Sequence, residues 1–418
     1  MKVRSKRKIQ PLSLPSDKGC DKITPVTDFL RANYQIETNR YDPSVMRIRS
    51  LKKLYNFPVS VDDISLHMMQ EGIPHTRQMI QMILRSPNQI KRYDPVKEYF
   101  DGLRGHLPEE SHIDKLISHI RVREFGDRPR GYYQERAGRY IRRWLAAAAA
   151  CALGRYANEA ALVLVNEDEG DGKSALARSL CPAPLQDMFV TSSSDHRSFN
   201  PDQAMVTNFL VLFDEMRGIT PARAEDFKML LSSHTLPVRM RGDLCPIPRQ
   251  RIASVLITTN NRMGSRHGFL YPALGTRRFI CLHIEHIDWN YAGQVDVDAL
   301  WAEALALCEN PDFGYRLNRE DYAEFAEVNQ RYIIESPASV LLQQVFTLPD
   351  GTEETETWLT PTEVVAELHR LRLVKADVAR YITPRHVGEA LRSLGFTRKM
   401  IYGAGERLYK YHLKSLIG

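Results

Sequence analysis

Gly172-Lys173-Ser174 follows an apolar run, Ala161-Leu-Val-Leu-Val, and opens a helix-forming stretch. A buried strand that turns through a glycine-containing loop into a helix can cradle a triphosphate, because loop and first-turn N–H groups face the negative charge. In that geometry Gly170, Asp171, Gly172, Lys173, Ser174 and Ala175 line the phosphates. The Lys173 ammonium then reaches the β- and γ-phosphates, and the Ser174 hydroxyl ligates Mg2+. The full motif asks for a first glycine at 167, where this chain has Glu167, and Asp168, Glu169 and Asp171 make the loop acidic. Carboxylates beside a triphosphate repel it, although water and magnesium screen much of the cost. Weakened nucleotide affinity is therefore one expectation, and a chance match in a non-binding loop is the alternative.

Further residue sets follow in an order that favours phosphoryl chemistry. Asn208-Phe-Leu-Val-Leu-Phe-Asp214-Glu215 is an apolar strand ending in two acids. Asp214 is placed to hold magnesium and Glu215 to polarise an attacking water. Ala253-Ser-Val-Leu-Ile-Thr-Thr-Asn260-Asn261 is another buried strand, and the Asn260 amide can orient that water or touch the γ-phosphate. An Asx turn that merely closes the strand is the plainer reading. Gly275-Thr-Arg277-Arg278-Phe sets paired arginines at the start of a strand. In a ring of subunits either guanidinium can reach a neighbour's γ-phosphate, and a surface charge pair is the rival.

These residues need a scaffold. Ala161–Val165, Phe209–Phe213, Ser254–Thr258 and Arg278–His283 are near-continuous apolar runs separated by helical segments or loops, which suits a parallel sheet buried on both faces. Residues 1–22 are basic and polar and read as a flexible tail. Residues 23–156 read as a mainly helical domain, residues 157–335 as the α/β motor, and 336–418 as a small third module. In that module Thr360-Pro-Thr-Glu363 and Thr383-Pro384 start two helices, and Arg398–Tyr411 reads as two strands around a Gly-Ala-Gly turn. Helix, helix, hairpin is a winged helix, in which Arg385, His386, Glu389 and Arg392 face DNA. Such modules also bind proteins, so that alternative stays open.

The bulk numbers narrow the classes. The chain has 418 residues, 43% of them hydrophobic and 26% charged, with a net charge of +6. That permits nucleic-acid binding without demonstrating it. The longest apolar stretch, an alanine tract within Leu145–Leu153, falls short of the roughly 18 residues that a membrane span needs. The N-terminal basic residues precede no apolar segment, which excludes a secretory signal. Cys20, Cys151, Cys181, Cys245, Cys281 and Cys308 are scattered, which argues for a reducing cytoplasm and against a zinc site or a disulfide framework.

Taken in order, Gly-Lys-Ser, the Phe-Asp-Glu acids, Phe227-Lys228-Met-Leu-Leu-Ser, Val238-Arg-Met-Arg, Thr-Thr-Asn, Gly-Thr-Arg-Arg-Phe and Leu300-Trp-Ala-Glu-Ala-Leu-Ala resemble the virulence-associated protein E domain. The resemblance covers roughly residues 94 to 310. It implies a superfamily 3 helicase fold among the AAA+ P-loop ATPases of phages and mobile elements. It also implies a homo-oligomeric, hexameric ring that hydrolyses ATP at subunit interfaces and unwinds DNA during replication. Lys228 falls where that family carries an extra motif. The stretch Leu236–Pro246 reads as a hairpin with Gly242-Asp243 at its turn. By resemblance it enters the ring's channel, where Arg239 or Arg241 would grip DNA phosphates, with structural salt bridges as the rival. No primase-like segment precedes the motor, so a separate primase is the expected partner. Two alternatives to a helicase remain: a DNA-binding initiator that nucleotide only regulates, and a motor that does not unwind.

Overall fold

The computed structural model describes residues 23–416, apart from 53–58, 87, 168–169, 194–198, 217–220, 241, 261–268, 271–274, 335, 352–355, 376–378 and 404–405. The chain divides into two compact units, at Asp94/Pro95.

In the first unit, α1 (Thr24–Asn33) leads into β1 (Tyr34–Asn39), followed by β2 (Met46–Ser50), α2 (Val61–Gln70), α3 (Arg77–Arg85) and β3 (Lys91–Tyr93). β1 is the middle strand, antiparallel to β2 and parallel to β3. Its alternating burial sends Tyr34, Ile36 and Thr38 inward, the period-two pattern of a sheet with one covered face. The core joins Tyr34 and Ile36 to Phe29, Leu30, Ile64, Met68, Ile80, Ile83 and Leu84. Residues 23–94 are thus a mixed unit with its own sheet, where the sequence suggested a helical domain running on to 156.

The second unit begins with α4 (Pro95–Leu103), α5 (His112–Ser118), β4 (Ile120–Val122) and α6 (Tyr132–Ala152). Next come β5 (Ala161–Val165), α7 (Lys173–Ser179), β6 (Phe189–Ser193), α8 (Pro201–Thr207) and β7 (Leu210–Asp214). They are followed by α9 (Pro221–Ser232), β8 (Thr235–Val238), β9 (Ile247–Gln250), β10 (Ser254–Thr259) and β11 (Phe279–Ile287). Six strands form one sheet in the order β4-β11-β5-β10-β7-β6. All pairings in it are parallel except that of β4 with β11. Every residue of β5 and of β10 is buried, as the continuous apolar runs required.

α6 explains why residue 156 does not divide the chain. Ala146 to Ala150 are each 3% exposed or less, and Trp144 donates its indole N–H to the Ala160 carbonyl at 3.1 Å, at the threshold of β5. Small side chains let this helix lie close against the sheet, so a single Ala148→Leu change would overpack it by about 1–3 kcal/mol. After β11 come α10 (Tyr291–Gln294), α11 (Val297–Glu309), which packs against α6, and α12 (Arg319–Val328). Arg143 of α6 pairs with Asp321 of α12, and Arg139 with Glu324.

A separate core, centred on Leu342, Val364, Leu368, Val387, Leu391 and Leu413, organises the C-terminal residues. Its elements are α13 (Pro337–Val345), β12 (Phe346–Thr347), β13 (Glu356–Leu359), α14 (Pro361–Arg370), α15 (Pro384–Ser393), β14 (Arg398–Gly403) and β15 (Glu406–Ser415). Thr360 and Glu363 form a capping box at α14, and Thr383 caps α15, as their spacing predicted. β15 pairs antiparallel with β12, β13 and β14. Among the described residues no helix is long and apolar enough to cross a membrane.

Candidate functional site

β5 lies between β11 and β10, and the loop leaving its C-terminal end carries Gly170 and Gly172 at φ of +88° and +80°. Gly172 is favoured by its left-handed backbone, and a Cβ there would stand 2.6 Å from the Trp289 indole, which would have to shift. Lys173 opens α7 and is only 5% exposed. A cation so deeply placed suits a site that receives an anion. Ser174 and Ala175 follow it, half-buried, while Gly170 is exposed. The Asp171 carboxylate accepts a hydrogen bond from the Asn166 amide. The Glu167 carboxylate lies 3.4 Å from the Arg123 guanidinium. Asp168 and Glu169 lie outside the described residues.

β10 brings the acids to the same edge of the sheet. Asp214 ends β7, and its Oδ1 accepts hydrogen bonds from the Ser174 hydroxyl and, at 2.6 Å, from the Thr258 hydroxyl. Its Oδ2 pairs with Arg178 of α7 at 2.8 Å. Glu215 is exposed and adopts a φ of +51°, a conformation rare for a residue with a side chain. Its N–H donates to Thr258 Oγ1 at 3.0 Å. Backbone strain of this kind collects where a side chain must be aimed. Asn260 sits half-buried one residue beyond β10. The structure thus gathers residues 170–175, Asp214, Glu215 and Asn260 at one edge. The Ser174 hydroxyl and Asp214 carboxylate are hard oxygen donors already in contact, a pair that fits Mg2+ with phosphate and water as its remaining ligands. His283, which pairs in register with Val165, lies beneath this edge. Burial and the nearby Arg123, Arg331 and Lys173 push it down to about 4, so it is neutral near pH 7.

Arg277 and Arg278 are not part of that gathering. The Ala161 N–H donates to the Arg278 carbonyl at 2.9 Å, which puts the pair at the opposite edge, beside the start of β5. A strand of that length separates them from the phosphate loop by roughly 17 Å. Arg278 is half-buried and donates from Nε to Ser232 Oγ at 2.8 Å, whereas Arg277 is exposed.

The DNA candidates lie elsewhere. β8 and β9 form an antiparallel hairpin. Asp243 organises its far end, accepting from the Met240 N–H at 2.8 Å and pairing with Arg249 at 2.7 Å. Arg239 is exposed and donates to the Asp243 carbonyl, while Arg241 lies outside the described residues. Arg385 and Arg392 are exposed two helical turns apart on α15, with Arg385 ion-paired to Glu389 at 3.1 Å. His386 is turned instead to the Thr383 hydroxyl at 3.1 Å.

Four residues near the phosphate loop escaped the motif reading: Arg123, Arg178, Thr258 and Trp289. Arg178 follows Ser174 by one helical turn, so helix periodicity alone places both on one face. Thr258 shares the polar end of its strand with Thr259, so its residue type alone does not mark it out. Arg123 and Trp289 come from distant segments and carry no local signal.

Comparison with known proteins bears on the same region. The fold is similar to the apo structure of the NrS-1 C-terminal region, at 10% identity over 94% of this chain and 99% of that chain, with a TM-score of 0.46. It is also similar to the X-ray structure of JCV helicase, at 11% identity over 64% of this chain and 78% of that one, with a TM-score of 0.30. No curated protein sequence matches the chain. The profile of the virulence-associated protein E-like domain matches residues 121–334, about half of the chain and the segment that holds both edges of the six-stranded sheet. By that match the chain belongs to the virulence-associated protein E-like domain family.

Proposed function

We propose that this protein is an ATP hydrolase that drives a DNA helicase or translocase, working in the replication of a phage or mobile element. The observation that carries the reading is the meeting of the Ser174 and Thr258 hydroxyls on one oxygen of Asp214, beside the buried Lys173. In this reading Lys173 stabilises charge on the β- and γ-phosphates, and the N–H groups of 170–175 hold the same phosphates. Glu215 takes the proton of the attacking water, and Asn260 orients that water toward the γ-phosphate. Ser174 and Asp214 would hold Mg2+, which supplies charge neutralisation on the phosphate oxygens. Arg277, across the sheet, serves a neighbouring copy's phosphates, which requires a closed ring such as a hexamer. Arg239 and Arg241 grip the strand in the channel by its phosphates. The C-terminal residues act as a winged helix, with Arg385 and Arg392 toward duplex DNA, and a separate primase supplies primers.

The test is magnesium-dependent phosphate release and strand displacement on a forked DNA, with and without ATP, for wild type and Lys173→Ala. Wild type should hydrolyse and displace, and Lys173→Ala should fall to background in both. Wild-type hydrolysis no higher than the Lys173→Ala background, with DNA present, would remove the enzymatic reading. Hydrolysis without displacement would leave a motor that does not unwind.

A further inference from the structure

We infer that Trp289 forms the nucleobase subsite of this protein, a stacking platform for a purine beside the phosphate loop; the inference rests on the reading that the loop binds ATP. The groups that handle the terminal phosphate, Asp214, Thr258 and Asn260, lie on β7, on β10 and just beyond β10, on one flank of β5. A triphosphate laid along the loop with its γ-end there carries its base off the other flank, toward β11. The chain leaving β11 brings Trp289 to that flank. Its indole lies 2.6 Å from where a Cβ on Gly172 would stand, yet the residue remains 54% exposed.

The turn that presents Trp289 is fixed from several sides. The Asp288 N–H donates to the His119 carbonyl at 2.8 Å, and the Asp288 carboxylate meets the His119 ring at 2.9 Å and the Asn290 N–H at 3.0 Å. Tyr291, only 4% exposed, packs near-parallel to the indole at 26°. A large aromatic carried on a hydrogen-bonded turn at a phosphate loop, with much of its surface in water, gains nothing for folding from that exposure. It does offer a pre-positioned π-face to a second aromatic ring, and the wider a base is, the more of that face it covers. A purine is thereby preferred over a pyrimidine.

Calorimetric binding on the full chain with magnesium tests this, using ATP, CTP and inorganic tripolyphosphate, which has no base. Trp289→Ala should weaken ATP roughly 10-fold, leave tripolyphosphate unchanged and erase the preference for ATP over CTP, while Trp289→Phe restores most of the affinity. Unchanged ATP affinity in Trp289→Ala would overturn the proposal. So would equal weakening of ATP and tripolyphosphate, which would make the ring a mere support of the loop. Lys173→Ala is the separate control and should weaken both ligands. If it weakens neither, the phosphate-loop reading itself fails, whatever Trp289 does.

Discussion

The two edges of the six-stranded sheet differ in how far they are finished. At the C-terminal edge of β5 the polar groups already meet: Ser174, Thr258 and Arg178 converge on Asp214, Asn166 holds Asp171, and Glu215 is fixed in a strained backbone. At the opposite edge Arg277 is exposed, and its neighbour Arg278 is occupied with Ser232. Phosphoryl transfer gains most from cations and donors placed before the substrate arrives. In the proposed reading, the arginine at the far edge completes the site of a second copy.

Breaking the unfinished edge should have the largest effect. Arg277→Ala is expected to lower ATP turnover roughly 1,000-fold while nucleotide affinity stays within about threefold of wild type. Steady-state phosphate release read beside equilibrium ATP binding separates the two. Ser232→Ala, which frees Arg278 alone, should leave turnover within about threefold, and a large loss would show that Arg278 is the acting residue.

Thr258→Ala tests the finished edge. Losing the hydroxyl that joins Asp214 to the Glu215 backbone should lower turnover about 100-fold, and Thr258→Ser should recover most of it. Unchanged turnover in Thr258→Ala would mean that the contact serves only the fold.

A third prediction concerns pH. His283 titrates near 4 in the folded protein, against an ordinary value near 6.5 in the unfolded chain. Between those values the unfolded chain binds more protons, so stability is full above pH 6.5 and falls as pH drops toward 4. The loss should reach on the order of 2 kcal/mol, and it should be read as the urea midpoint at pH 7 and pH 4.5. His283→Gln should flatten that slope whatever its absolute stability, and an equal slope in the variant would contradict the assignment.

The smallest effect belongs to the acidic loop. Because Arg123 lies beside Glu167, Glu167→Gly should tighten ATP binding by no more than about threefold, whereas Arg123→Ala should weaken it by about that much. Glu167→Gly should then rescue Arg123→Ala. A tenfold gain from Glu167→Gly alone would show that the carboxylate repels phosphate despite its partner.

What the sequence made legible follows from the same contrast. Lys173-Ser174 and Asp214-Glu215 could be read because each pair is contiguous and sits where an apolar run ends. The hairpin of β8 and β9 and the threonine caps at 360 and 383 were legible for the same local reason. Thr258, Arg123 and Trp289 were not, since strand pairing, rather than spacing along the chain, brings them to the loop. The first domain boundary was also hidden. The alanine face of α6 specifies a close-packed helix but not which sheet it covers, and the three-residue strand β3 is too short to show a period. The pairing of β1, β2 and β3 into one sheet therefore appears only in three dimensions.

The shared site is tested most directly by mixing two inactive proteins, Lys173→Ala and Arg277→Ala, in equal amounts and allowing them to exchange subunits. On the proposed reading, each interface would need Lys173 from one copy and Arg277 from the next. Random mixing should complete roughly a quarter of them and restore a matching share of wild-type ATP turnover. A mixture no more active than either variant alone, beside a wild type that hydrolyses ATP at full rate as a monomer, would contradict the account.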